Sequence, residues 1–278
     1  MDLATIDFSV LLIFVAALAG AGVLAGLVAG LFGVGGGIVI VPVLYYVFTI
    51  FDVPEDVKMH VAVGTSLATI VVTSIRSLRA HLKSGAVDVQ LLKNWILPIL
   101  AGVVAGTAVA DMINGEALTL IFGVIALLVA ANMAFAKSSW RLADAMPGRP
   151  SRDLIGATIG FLSTLMGIGG GTFGNTVMTL YGRTIHQAVA TSAGLGLIIA
   201  VPGALGFVIS GWNEVGTPPF SVGYVNLIAF ACIVPATIVM APIGARLAHR
   251  LPQRTLKRGF AAFLALVAIR MLYGVLAG

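Results

Sequence analysis

The sequence predicts an all-α polytopic membrane protein with about eight hydrophobic segments in two homologous halves, arranged as inverted repeats with Gly-broken helices. Three observations lead there. Of 278 residues, 59% are hydrophobic and 10% charged, against about 25% charged in soluble domains; a water-soluble fold of this size could not clothe itself with so little charge. Apolar runs long enough to span, which takes about 20 residues, recur along the chain. The stretch Gly33-Val34-Gly35-Gly36-Gly37 interrupts one such run and returns as Gly167-Ile168-Gly169-Gly170-Gly171.

Composition also excludes. The net charge of +5 is no nucleic-acid footprint here, because Lys and Arg in membrane proteins mostly report cytoplasmic loops. The single Cys232 rules out an internal disulfide and a multi-cysteine metal site. Residues Met1 to Asp7 lack the basic region of a cleaved signal peptide, so the first apolar segment is expected to stay.

In order, Phe8 to Gly30 spans, with Gly22, Gly26 and Gly30 on one close-packing face. After the break, Ile38 to Phe51 reads as a half-helix, and Asp52 to Lys58 as a polar loop. His60 opens a helix ending in the basic cluster Arg76, Arg79, His81 and Lys83. Spans follow at Leu91 to Ala110 and Ala117 to Ala136, joined by an acidic turn. Residues 1–136 thus form a first transmembrane repeat and 137–152 a basic cytoplasmic linker. Residues 153–278 form the second repeat, with short apolar pieces flanking its break, a helix from His186, and spans at Tyr224 to Ala245 and Gly259 to Val275. The halves align by eye: the glycine motifs lie 134 positions apart, His60-Val61-Ala62-Val63-Gly64-Thr65-Ser66 and His186-Gln187-Ala188-Val189-Ala190-Thr191-Ser192 lie 126 apart, and Gly106 and Gly244 lie 138 apart. Loop charge alternates oppositely in the two halves, so the positive-inside rule orients them oppositely. A Gly-broken hairpin entering and leaving on one side, followed by three full spans, satisfies that, and places the acidic N-terminus outside.

Glycine costs roughly 1 kcal/mol against alanine in a helix, so four in five positions break it. Irregular backbone at membrane depth survives only when packed in protein or lining a wet cavity. A helix starting after each break offers unpaired N–H groups and a positive dipole end, an anion site. Gly33, Gly35, Gly36, Gly37, Gly169, Gly170 and Gly171 are therefore substrate-binding candidates; simple tight helix crossing is the alternative. Neither motif is a nucleotide loop, since no Lys-Ser/Thr follows. Thr65, Ser66, Thr191 and Ser192 sit early in their helices, where a hydroxyl can donate to an anion or bond a neighbouring helix. Asn175 is a further buried amide, unmatched at Val41 in the first half. His60 and His186 titrate near neutral pH, which suits proton coupling, although their place at helix starts favours interfacial capping. No Asp or Glu falls mid-span, so an anionic substrate is expected and neither a cofactor nor a metal is called for. Arg270 lies within the last span, and intramembrane ionisable residues are functional candidates by default.

The run Gly30-Leu31-Phe32-Gly33-Val34-Gly35-Gly36-Gly37-Ile38-Val39-Ile40-Val41-Pro42-Val43-Leu44, the second glycine motif and the His-x-Ala-Val-x-Thr-Ser that follows it resemble the TauE/SafE sulfite and sulfonate exporter family. The resemblance covers essentially the whole chain. It implies a secondary transporter of the bacterial inner membrane, exporting sulfite, sulfoacetate or related sulfonates by alternating access and coupled to the proton gradient. It is weaker after the second motif, which continues Thr172-Phe173-Gly174. An anion channel or a carboxylate permease shares the pore chemistry. A membrane-embedded enzyme would need a nucleophile–base or metal constellation that two histidines and one cysteine do not supply. Gly36→Leu and Gly170→Leu are expected to abolish transport while the protein still inserts; normal flux in both variants would sink the site assignment.

Overall fold

The structure, a computed structural model, describes residues 8–32, 36–135, 140–248 and 253–277. These form ten helices: α1 (Phe8–Phe32), α2 (Gly37–Ile50), α3 (Glu55–Lys83), α4 (Val89–Met112), α5 (Gly115–Phe135), α6 (Ser151–Leu165), α7 (Gly171–Leu180), α8 (Ile185–Ser210), α9 (Leu227–Ala248) and α10 (Gln253–Ala277). A two-stranded hairpin, β1 (Ser221–Val222) and β2 (Val225–Asn226), precedes α9. Seven helices (α1, α3, α4, α5, α8, α9 and α10) are long and apolar enough to cross a membrane.

Polar side chains start the helices where the sequence provides them. Asp88 accepts from Leu91 N at 3.0 Å to cap α4, and Asn226 accepts from Ala229 N at 2.9 Å to cap α9. The half-helices α2 and α7 instead start from Gly36 (φ +80°) and Gly170 (φ +69°). Both are left-handed, a conformation a Cβ makes costly. Four expected boundaries shift. Besides those of α3 and α6, α9 begins at Leu227 rather than Tyr224, because Tyr224 and Val225 belong to the hairpin that ends in the Asn226 cap, and α10 begins at Gln253 rather than Gly259, taking up the basic stretch before Gly259 as its first turns. Helix α3 begins at Glu55 rather than near His60, because Pro54 suits the position before a helix and Glu55 and Asp56 favour the positive end of its dipole. The segment read as a polar loop therefore buries Lys58 against Glu55 and over the Tyr45 ring, 5.0 Å away. Helix α6 begins at Ser151, after Pro150.

The halves interlock. Helix α1 packs on α9, and α6 packs on α4. A Cβ on Gly22 would approach Ile233 Cα to 2.9 Å and one on Gly26 would approach Thr237 Cα to 2.8 Å; at the positions 134 further on, Gly156 meets Trp95 and Gly160 meets Ile99. Trp95 and Ile99 stand 138 positions before Ile233 and Thr237, so the two seams correspond residue for residue. Helices α3 and α8 run antiparallel through the centre, with Gly64 against Phe207, Leu67 against Gly203 and Ser74 against Gly196. Helix α10 covers α5, with Leu272 on Gly123.

The ends separate by charge. Gly115 lies against the Glu55 carbonyl, Gly216 against Pro54 and Tyr224 beside Gly211, so Asp52, Glu55, Asp56, Asp111, Glu116 and Glu214 share one face. The opposite face holds Arg79, Lys83, Arg152, Arg183 and Arg246, in excess over Asp88, Asp144 and Asp153, which pair with arginines there. There Leu142 N donates to Leu180 O at 2.8 Å, and Arg183 pairs with Asp88 at 2.8 Å. The α1–α2 turn enters and leaves from the acidic face, the α6–α7 turn from the basic face.

The seams predict a contrast. A Cβ at Gly102 would stand 2.0 Å from the Ala157 carbonyl, whereas one at Gly20 meets nothing within 4 Å. Gly102→Ala should therefore lower stability by about 1–3 kcal/mol through forced separation of α4 and α6, and Gly20→Ala should be neutral or stabilising. Detergent unfolding midpoints check both.

Candidate functional site

The two breaks meet near the centre of the molecule. A Cβ on Gly37 would come within 2.6 Å of the Gly167 carbonyl and 3.0 Å of Ile168 Cα, which only a glycine allows. Ser66 Oγ donates to the same Gly167 carbonyl at 2.7 Å. Two matching ties flank this contact. Asn226 N donates to Thr65 Oγ1, and Asp88 N donates to Thr191 Oγ1, each at 2.9 Å. Thr65 and Thr191 are equivalent positions, as are Asp88 and Asn226. Each tie joins an early turn of α3 or α8 to the residue that starts a helix of the other half.

Beneath this junction a cavity of about 670 Å³ opens toward the basic face. Ile70, Ser74, Gly169, Gly171 and Ser192 form its inner end, and Arg76, Ala80 and His81 its mouth. Ile70 and Ser74 are buried, while Arg76 is exposed. The first turn of α7 sits at the inner end, so its unpaired N–H groups and positive dipole end lie beside the space. Thr73 and Thr237 add hydroxyls to the wall, and Ala29, Val189, Ile238 and Pro242 make much of the remainder apolar. None of the lining residues is acidic. Thr73, Thr237 and Ser192 donate their hydroxyl protons to the Thr69 and Ile70 carbonyls, the Gly22 carbonyl and Asn175 respectively. The site thus suits a small anion through a helix N-terminus, the Ser74 hydroxyl and one guanidinium, and it disfavours a cation.

The acidic end is closed. His60 is buried, with Nε2 2.8 Å from the Ala110 carbonyl and Nδ1 3.1 Å from the Asp56 carbonyl, and its ring stacks on Tyr224 at 4.9 Å. The gap left among His60, Thr107, Phe207 and Tyr224 is too small for a water molecule. Burial first, then the Glu214 and Asp111 carboxylates, pushes the Tyr224 phenol up to about 12, so this plug is uncharged on its tyrosine side.

The expected site residues divide accordingly. Gly169, Gly171 and Ser192 line the cavity, and Gly170 supplies the left-handed turn between the two glycines. Asn175 accepts from Ser192 Oγ at 2.5 Å, so in this state that hydroxyl turns its proton away from the cavity. Gly37, Thr65, Ser66 and Thr191 are buried in the junction, where the other half engages the three hydroxyls, and Gly36 is buried against Ala29 and Ile40 of its own half. His186 is exposed at the basic face, and Arg270 is exposed on α10 with its guanidinium 5.9 Å from the Tyr46 ring centre; neither reaches the cavity. Gly33 and Gly35 lie outside the described residues. The sequence reading missed Ser74, Thr73, Arg76 and His81 as lining residues. A signal existed: Thr65, Thr69, Thr73 and Arg76 recur at three- and four-residue spacing, a polar stripe down one face of an otherwise apolar helix.

Residues 18–271 match the family described as Sulfite exporter TauE/SafE. A "Probable membrane transporter protein" of Haemophilus influenzae is 37% identical over 250 residues, covering 90% of this chain and 95% of that one. Similarly named proteins of Methanocaldococcus jannaschii and Bacillus subtilis are 28% and 27% identical, covering 90% and 91% of this chain and 92% and 95% of their own lengths. No solved structure matches the chain.

Thr65→Val and Thr191→Val each strip the acceptor from a backbone N–H. Each should cost about 1–3 kcal/mol of stability, more for Thr65, whose partner N–H is fully buried. Apparent substrate affinity should hold in the folded fraction. A raised KM with unchanged unfolding midpoint would instead make these hydroxyls substrate contacts.

Proposed function

The chain belongs to the sulfite exporter TauE/SafE family and is an integral membrane transporter; on that premise we propose that it carries small sulfur-containing anions, sulfite or an organic sulfonate, out of the cell by alternating access. The observation that carries this is the cavity that ends at the N-terminus of α7, lined by Ser74, Ser192 and Arg76 and by no acid. Gly169, Gly170 and Gly171 let an anion approach backbone N–H groups without a Cβ in the way. Arg76 at the mouth draws anions in, and the apolar wall accommodates a short organic substituent. The basic face is the cytoplasmic one by the positive-inside rule. The cavity then loads from the cytoplasm, as export requires, and the packed acidic end supports a carrier over an open pore. Substrate contacts in this state are Gly169, Gly170, Gly171, Ser74 and Arg76, while Ser192 lines the cavity with its proton on Asn175. Proton coupling through His60 or His186 draws no support from their positions; His81 is the histidine on the substrate path.

Purified protein in liposomes tests this with a panel running from sulfite and sulfate through sulfoacetate and taurine to simple carboxylates. The expected result is saturable flux of a sulfur oxyanion, accelerated by the same anion on the far side, which a channel does not show. Arg76→Gln should weaken apparent affinity roughly three- to tenfold at low salt, and less as ionic strength rises, because the guanidinium is exposed. Folded protein that moves none of the sulfur anions would overturn the substrate class.

A further inference from the structure

Ser163 is fully buried on α6, and its Oγ finds no hydrogen-bond partner among the described residues. Buried hydroxyls are nearly always paired, so this one requires an explanation. The correspondence between the halves provides it. Positions on α1 and α6 match at an offset of 134, as the Gly22/Gly156 and Gly26/Gly160 seams demonstrate. Ser163 therefore stands where Ala29 stands in the first half, and Thr164 where Gly30 stands; Ala29 and Gly30 both line the cavity. The pattern extends around the wall. Ser192, Gly171 and Thr237 line the cavity, whereas their counterparts face protein: Ser66 bonds the Gly167 carbonyl, Gly37 is packed on Gly167 and Ile99 is packed on Gly160. The molecule holds one open cavity and, at the matching positions, one closed set.

We propose that Ser163, Thr164 and Ser66 form a second contact set for the transported anion, reached from the acidic face when the two halves exchange conformations. The proposal rests on the transport function argued above. In that state Ser163 Oγ donates to the anion, Ser66 releases the Gly167 carbonyl to take the lining place Ser192 now holds, and the N-terminus of α2 at Gly37 replaces that of α7. The two sets are alike in shape and unlike in charge. Arg76 has Pro202 as its counterpart, 126 positions on, so the second set holds an anion by hydroxyls and backbone N–H groups with no guanidinium. Affinity is accordingly lower on the acidic face, which favours release there.

Cysteine accessibility tests this on the full chain with Cys232→Ser as background. Ala29→Cys and Ser163→Cys are labelled with a membrane-impermeant maleimide from each side of oriented vesicles, with and without saturating sulfoacetate. Ala29→Cys should label from the basic face and Ser163→Cys from the acidic face, both slowed about tenfold by sulfoacetate, as for a site held occupied. Transport-competent Ser163→Cys that labels from neither side, or only from the basic face, overturns the second set alone. Unprotected Ala29→Cys overturns the cavity assignment and this proposal with it. Should Ser163→Cys fail to transport, Ser163→Ala decides: KM for sulfoacetate should rise roughly three- to tenfold from the acidic face, the loss expected for one hydrogen bond to an anion, and hold from the basic face. An equal change on both faces, or none, overturns the proposal.

Discussion

Inside a bilayer an unpaired backbone N–H or C=O has no water to turn to, and leaving one bare costs several kcal/mol. This protein stops a helix at that depth twice, and each half answers for the polar groups the other exposes. Ser66 takes up the Gly167 carbonyl, Thr65 takes the Asn226 N–H and Thr191 takes the Asp88 N–H. Gly37 lies close enough to Gly167 and Ile168 to seal the junction from lipid. The antiparallel α3–α8 pair, the glycine-lined seams and the cavity below all follow from holding these two ends together.

The breaks announce themselves in the residues because nothing but glycine tolerates both the left-handed φ at Gly36 and Gly170 and the close approach at Gly37. The duplication and the segregation of charge are equally local signals, and they carry the inverted arrangement. The interleaving is different. That α1 seats on α9 and α6 on α4 is decided by complementary surfaces far apart in the chain, and a Gly-x-x-x-Gly face says only that something packs closely there. The site was half visible for the same reason. Glycine and hydroxyl residues near a break are conspicuous, but whether a hydroxyl faces a cavity or a neighbouring backbone depends on the partner helix. Thr65 and Thr191 face backbone, while Ser74 and Arg76, two to three turns further along α3, face the cavity. Depth in a span says nothing of the side a residue presents: Arg270 on α10 lies beside the Tyr46 ring and away from the cavity.

Symmetry of backbone coexists with asymmetry of chemistry. Asp88 and Asn226 cap equivalent helices and bond equivalent threonines, yet Asp88 also holds Arg183 at 2.8 Å while Asn226 donates its amide to the Pro219 carbonyl and Ser221 Oγ at the root of the hairpin. A charged fastening on the basic face thus answers to a neutral one on the acidic face. The duplicated frame supplies two interconvertible shapes, and the divergent side chains decide which shape is preferred and from which side.

The interlocked seams also bear on how the protein is made. The glycine face of α1 has its mate on α9, so Gly22 leaves the ribosome some two hundred residues before Ile233, and throughout that interval a surface shaped for a helix must be covered by lipid or by a chaperone. Helix α4 meets α6 far sooner. Neither half buries its own close-packing faces, so the hairpin-and-three-span unit is a unit of sequence duplication and of symmetry but not of folding.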